Sequence, residues 1–403
     1  MNKKSLPFVI GIPNMGVGML WAMNMSLIPM LVGTVTKSNV QLAILVSMGA
    51  FTGIFVQYLA GLLSDRSRFR LGRRRPFMLM GSIAASVFIC VMPFSGSYIL
   101  MFIFAFLFYF SLNFYQGPYY SLIPEMVSDK QLGLANGFSK IVSVLGSAVV
   151  FLLGPSLWAK GQYLPFFLAA FLSIITVVPT TLLLKEDTTK VGTTTKFSFD
   201  FLKDKPVMRL FISVFLIFFA YGCITPFFVK YCTTMLHLTD STANMALLLL
   251  TVVGALFAAP LGILSDKTER RKVLLLGTVL FAAAMAAASF VKTALMLYVV
   301  LSVVGVGFIA IQVTIYAILA EIAPPERMGE YMGIMNLFVS LSQFIANNVM
   351  GAVLDTLGWG LFFPISAIIM VGAFFMILFS RFEREKTSDV AAERPDAAPS
   401  AKS

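Results

Sequence analysis

The stretch GLLSDRSRFRLGRRRPF, residues 61–77, packs six arginines and one aspartate between two apolar runs. A shorter version returns in the second half of the chain: GLLSDRS at 61–67 matches GILSDKT at 262–268. A second pair follows in the same order, PEMVSDKQLGLANG at 124–137 and AEIAPPERMGEYMG at 320–333. It aligns Glu125 with Glu321, Gly133 with Gly329 and Gly137 with Gly333. Two landmarks in one order, in both halves, point to an internal duplication.

The residues around these landmarks are apolar. Of 403 residues, 58% are hydrophobic and only 12% are charged, with a mean hydropathy of +0.88. A soluble domain carries about 25% charged residues. Apolar runs of roughly 18 or more residues recur along the chain, each long enough to cross a ~30 Å hydrocarbon core. The sequence predicts an all-α polytopic membrane protein with twelve transmembrane helices. The first six spans fall at 7–32, 40–63, 76–94, 98–123, 132–156 and 163–184. The second six fall at 207–229, 241–264, 273–290, 294–320, 329–353 and 358–380. The expected organisation is a six-helix half over 1–184, a polar linker over 185–206, a second half over 207–380 and a disordered tail over 381–403. The first span is read as a helix rather than a cleaved signal peptide, because no small-residue cleavage site follows it.

Charge sets the expected orientation. With both termini inside, the cytoplasmic segments hold 25 of the 30 basic residues. The external loops hold Lys37, Lys160, Lys230 and Lys292, and Lys140 falls inside span five. This asymmetry follows the positive-inside rule and fits a multi-pass protein of a plasma membrane, such as a bacterial inner membrane. It also assigns the net charge of +11 to the membrane surface rather than to nucleic acid. Cys90, Cys223 and Cys232 lie in apolar stretches, and their spacing matches neither a metal site nor a disulfide framework. His237, the single histidine, stands alone in an external loop. No nucleophile–base pair or phosphate loop is evident, so no enzyme, metal or cofactor is expected.

The arginine loop has a bland reading, topology-setting charge, and a sharper one. Asp65 can approach the positive N-terminus of a neighbouring helix, and Arg66, Arg73 and Arg74 can pair with Glu125 at the foot of span four. Asp266, Arg270, Arg271, Glu321 and Arg327 can form the mirror set. Such contacts are expected to gate the cytoplasmic side.

GLLSDR…GRRRPF resembles the signature loop of the major facilitator superfamily. More narrowly, WAMNMSLIPML (21–31), VQYLAGLLSDRSRFRLGRRRPF (56–77) and NFYQGPYYSLIPEM (113–126) resemble the sucrose-transporter branch and the related glycoside–pentoside–hexuronide symporters. The resemblance is dense over 20–140. It implies two pseudo-symmetric six-helix halves and a monomeric secondary transporter. It also implies a small polar solute, often a sugar, moved by alternating access with coupling to protons or sodium.

Polar residues recur at helical spacing inside the spans. Positions i, i+4, i+7 and i+11 share a helix face. In span four these are Tyr109, Asn113, Gln116 and Tyr120; in span five, Asn136, Lys140, Ser143 and Ser147; in span eleven, Asn336, Ser340, Gln343 and Asn347. Gln312 and Tyr316 are the repeat-equivalents of Gln116 and Tyr120, and Trp21 and Asn24 lie one turn apart in span one. Interhelical hydrogen bonding is one reading, worth roughly 1 kcal/mol per bond. A water-lined substrate cavity is the other, because unpaired amides facing lipid are costly. Tyrosine faces and amides suit a sugar.

In the sucrose branch an acidic residue stands where this chain has Tyr109, and an arginine where it has Tyr120. Both charges are missing. The nineteen carboxylates all fall in loops, tails or span ends, whereas intramembrane carboxylates are the usual proton relay. Coupling is therefore open between facilitated diffusion, cation symport and exchange. Lys140 lies roughly 12 Å into span five. It either snorkels, pairs with Glu125, or meets an anionic substrate group. Competing functions are export of an amphiphilic compound and a non-transporting sensor or assembly factor.

Overall fold

The computed structural model describes residues 5–67, 69–184, 186, 201–202, 204–324, 327–380 and 382. The expected linker, 185–206, lies outside them except at Glu186, Phe201, Leu202 and 204–206; the expected tail lies outside except at Phe382.

Twelve helices are long and apolar enough to cross a membrane. They are α1 (Leu6–Val35), α2 (Asn39–Arg66), α3 (Arg75–Phe94), α4 (Tyr98–Met126), α5 (Gln131–Lys160) and α6 (Leu164–Leu183). The second set is α7 (Lys205–Thr234), α8 (Asp240–Lys267), α9 (Arg270–Ala288), α10 (Ala294–Ile322), α11 (Met328–Thr356) and α12 (Trp359–Leu378). Each matches a predicted span within a few residues. Helix starts are fixed by local chemistry. Ser38, Ser97, Thr239 and Thr293 each accept a backbone N–H of the first turn from their side-chain oxygen. That bond satisfies a donor the helix itself cannot.

Two helices are broken at equivalent places. Helix α1 is interrupted at Ser26, between Pro13–Met25 and Leu27–Val35. Helix α7 is interrupted between Lys205–Ile224 and Phe228–Thr234. Proline explains both: Pro29 and Pro226 lack the N–H that would continue the ladder. Irregular backbone at membrane depth is tolerated only where it is buried in protein or lines a cavity.

Within the first half, α2 and α3 pack on α4, and α1 packs on α5 and α6. Within the second, α8 and α9 pack on α10, and α7 packs on α11 and α12. The halves meet along α2 with α11 and α5 with α8, and the two broken-off segments of α1 and α7 touch. The face carrying the arginine loop is called the basic face below.

Candidate solute cavity and its flanking ion pairs

The halves are tied together at the face opposite the arginine loop. Asp355 of α11 accepts the backbone N–H groups of Asn39 at 2.9 Å and Val40 at 3.0 Å, and the Ser38 hydroxyl at 2.8 Å. A carboxylate from one half thus caps the first turn of a helix in the other, where the helix dipole favours negative charge. Lys230 of α7 donates to the Lys37 carbonyl at 2.9 Å and to Asn39 Oδ1 at 2.7 Å. Deeper in the seam, Asn348 donates to Ser47 Oγ at 3.1 Å, and the Ser26 hydroxyl donates to Asn244. All of these bonds between the halves lie in this part of the molecule.

Toward the basic face the halves part. A Cβ added at Gly133, Gly137, Gly329 or Gly333 would meet nothing within 4 Å. These glycines form the G-x-x-x-G starts of α5 and α11. Asn136 and Asn336, on the same turns, are exposed.

Between the closed and open ends lies a cavity of about 310 Å³, inside the ~300–1,000 Å³ range of small-molecule sites. Both halves line it. Trp21 and Met25 of α1, Tyr120 of α4 and Lys140, Ser143 and Ser147 of α5 form one wall. Tyr221 of α7, Thr251 of α8 and Phe308 and Gln312 of α10 form the other. Tyr221 and Phe308 stack with ring centroids 4.1 Å apart. Tyr120 and Tyr316 are 44% and 42% exposed though both lie well inside their helices. A larger cavity of about 430 Å³ sits at the basic face of the second half among Asp266, Arg270, Arg271 and Glu321. It belongs to one half only and is the ion-pair cluster described below.

The predicted polar residues divide into two groups. Trp21, Tyr120, Lys140 and Gln312 line the cavity, and Tyr316 lies one turn beyond Gln312 on α10. Tyr109, Asn113 and Gln116 do not: they are 0%, 0% and 2% exposed. Tyr109 donates to Asn24. Asn113 donates to the Gly49 carbonyl at 3.1 Å and Thr52 Oγ1 at 2.9 Å, and accepts from Gln57 at 2.7 Å. Gln57 also donates to Gln116 at 3.1 Å. Three of the four stripe residues of α4 thus hold α4 against α1 and α2, and only Tyr120 reaches the cavity. Asn336 and Gln343 of α11 do not line it either. Asn347, its amide orientation assigned from its hydrogen bonds, ties α11 to the Gly222 carbonyl of α7 at 2.9 Å. Gln57, Tyr221 and Thr251 were not predicted. Their signal was a lone polar group in an apolar run, too common to single out.

Lys140 is exposed to the cavity. Among the described residues it has no hydrogen bond or ion pair. The expected pairing with Glu125 is absent because Glu125 is held by two arginines. Arg73 reaches both its oxygens at 3.1 Å, and Arg74 reaches it at 2.5 Å. Arg74 also binds Asp65 at 2.8 Å. Burial lowers the pKa of Arg74, against the raising effect of Glu125 and Asp65, yet a guanidinium stays charged in any protein setting.

The second half repeats this arrangement. Arg270, the equivalent of Arg74, bridges Asp266 at 3.3 Å and Glu321 at 2.6 Å. Arg271 takes a different role from the gating expected of it: it donates to the carbonyls of Ile377 at 3.1 Å and Leu378, capping the end of α12. Its counterpart Arg75 caps α6 through Thr181 at 2.6 Å and Leu182 at 2.7 Å. Glu186, just past α6, returns the contact by accepting the backbone N–H groups of Arg73 and Arg75, each at 2.7 Å, and of Arg74 at 3.0 Å. Arg327 pairs with Glu330 at 2.8 Å, and Arg66 is exposed. Each of these ion pairs lies within a single half, where it braces neighbouring helices against one another.

The model of the Major Facilitator Superfamily matches the chain twice, over residues 12–209 and 210–403. A sucrose transport protein of Arabidopsis thaliana is 29% identical over 174 residues, covering 38% of this chain and 29% of the relative. A general alpha-glucoside permease of Schizosaccharomyces pombe is 34% identical over 122 residues, 26% of this chain and 22% of the relative. The chain therefore spans under a third of the length of either sugar-transporter relative. An MFS-type transporter of Methanocaldococcus jannaschii is 21% identical over 338 residues, with 82% and 83% covered. Among solved structures, the nucleoside transporter NupG superposes with a TM-score of 0.77 at 14% identity, over 93% of this chain and 99% of that one.

Proposed function

The chain belongs to the Major Facilitator Superfamily, and from that premise we propose that it carries a small polar solute, a sugar or glycoside, across a plasma membrane by alternating access. It is a multi-pass membrane transporter of that family. The observation that carries the finer reading is the central cavity. It is lined by both halves, closed at one face by bonds that cross between the halves, and open at the other.

The positive-inside bias supports reading the basic face as cytoplasmic and, with it, the conformation as open inward. Trp21, Tyr120, Tyr221 and Tyr316 offer aromatic faces to the apolar faces of a pyranose, and Gln312, Thr251 and Ser143 offer hydrogen bonds to hydroxyls. The partial likeness to sucrose and alpha-glucoside carriers supports the same solute class. Asn24, Tyr109, Asn113 and Gln116 act behind the cavity wall as its support. Asn336 and Gln343 lie on the seam helix α11 and meet the solute only when the halves rock toward one another. No described carboxylate lines the cavity, so a proton relay through a cavity acid is not part of the proposal.

The test is thermal unfolding of the purified protein against a panel of sugars, glycosides and nucleosides, with and without sodium. Ligand binding to the folded state raises the unfolding temperature in proportion to occupancy. Stabilisation by a sugar and not by nucleosides is expected. Stabilisation by nucleosides alone would overturn the solute class.

A further inference from the structure

Resting on the sugar reading and narrowing it, we propose that the solute carries a negative charge, and that Lys140 is the counter-charge that receives it. Among the described residues, Lys140 is the one charged side chain that lines the cavity, and no aspartate or glutamate does. Its side chain is bound to nothing among the described residues. The nearest expected partner, Glu125, is occupied by Arg73 and Arg74. The reserve of carboxylates at the basic face is likewise engaged: Asp65 with Arg74, and Asp266 and Glu321 with Arg270.

An ammonium group at this depth is unfavourable unless something compensates it. Here the side chain is exposed, and an exposed ammonium is one that water can compensate. When the halves close around a solute, that water is excluded, and the charge must meet an opposite one. A cleft walled by low-dielectric helices also focuses the field of a lone cation and concentrates anions near it. The neighbouring groups fit a pyranose that bears an acidic group. Ser143 and Ser147 stand one and two turns along α5 from Lys140, and Tyr120 and Gln312 complete the wall. Ser147 is already committed to the Gly18 carbonyl at 3.0 Å, which leaves Ser143, Tyr120 and Gln312 for hydroxyls. A carboxylate and a phosphate monoester share the chemistry that Lys140 recognises. The single cation favours the single charge.

The experiment uses four compounds on one ring: glucuronate, glucose 6-phosphate, glucose and glucosamine. Binding to the purified full-length protein is read by thermal shift and titration calorimetry, with benzoate as an anion that is not a sugar. A charge-assisted contact of this kind is worth a roughly tenfold to hundredfold gain in affinity. The expected order is glucuronate above glucose 6-phosphate, then glucose, with glucosamine weakest. In Lys140→Gln, glucuronate loses its advantage over glucose, and Lys140→Arg restores the preference. Tighter binding of glucose 6-phosphate than glucuronate, lost in Lys140→Gln, would assign the site to phosphate and keep the anion proposal. Equal binding of glucuronate and glucose in both proteins would overturn the proposal and leave the sugar reading intact. Binding of benzoate with no response to any pyranose would keep the anion site and overturn the sugar reading. If Lys140→Gln proves unstable, the wild-type order alone decides.

Discussion

Arg74 and Arg270 hold equivalent places in the two halves, yet burial separates them. The Arg74 side chain is 5% exposed, and its partners Asp65 and Glu125 are 26% and 31% exposed. Arg270 is 26% exposed, and its partners Asp266 and Glu321 are 68% and 57% exposed. Breaking a buried pair by removing one partner costs about 3–5 kcal/mol, because it strands the other charge. An exposed pair contributes about 0–1 kcal/mol. Arg74→Ala is therefore expected to lower folded stability severely, and Arg270→Ala to change it little. Thermal unfolding of both variants in detergent checks this, and equal losses would contradict it. The sequence revealed both clusters through the repeated SD and PE/AE landmarks. It did not separate Arg270 from Arg271. Adjacent arginines look alike in a string, and only the helix path turns one toward a carboxylate and the next toward the carbonyls of α6 or α12.

At the scale of the helix, the polar network between α2 and α4 carries the main difference between expectation and structure. Hydropathy placed all twelve spans because each needs only length and apolarity. Periodicity found the stripe Tyr109, Asn113, Gln116 and Tyr120, but periodicity is the same for a face that meets water and one that meets another helix. The deciding residue is Gln57, whose amide joins Asn113 and Gln116. Gly117 makes this possible, since a Cβ there would press on the Gln57 carbonyl. Gln57→Leu is expected to cost about 1 kcal/mol, the scale of an interhelical bond in a membrane. It should leave the solute preference of the remaining folded protein unchanged. Thermal unfolding and ligand titration of the variant measure both quantities. A changed preference with unchanged stability would move this network into the solute site.

At the scale of the whole molecule, the conformation is set where the halves cross. Asp355 satisfies two otherwise unpaired N–H groups and one hydroxyl at the start of α2. Hydrogen bonds to a charged group are worth about 1.5–3 kcal/mol each. Asp355→Asn is expected to shift the balance toward opening of that face. A cysteine replacing Ser47, which lies buried in the same seam, would then react faster with a membrane-impermeant maleimide. Unchanged labelling would show that Asp355 does not hold the face closed.

The central claim is that one cavity serves the two faces in turn. The most direct measurement is a pair of spin-label distances in active protein, with Cys90, Cys223 and Cys232 replaced. One pair, at positions 133 and 329, spans the basic face; the other, at 33 and 360, spans the opposite face. All four are glycines with open space around them. The account predicts reciprocal change as transport conditions vary: the first distance shortens in the population in which the second lengthens. Distances that stay fixed at both faces, or that lengthen together, while the protein transports its solute would contradict it.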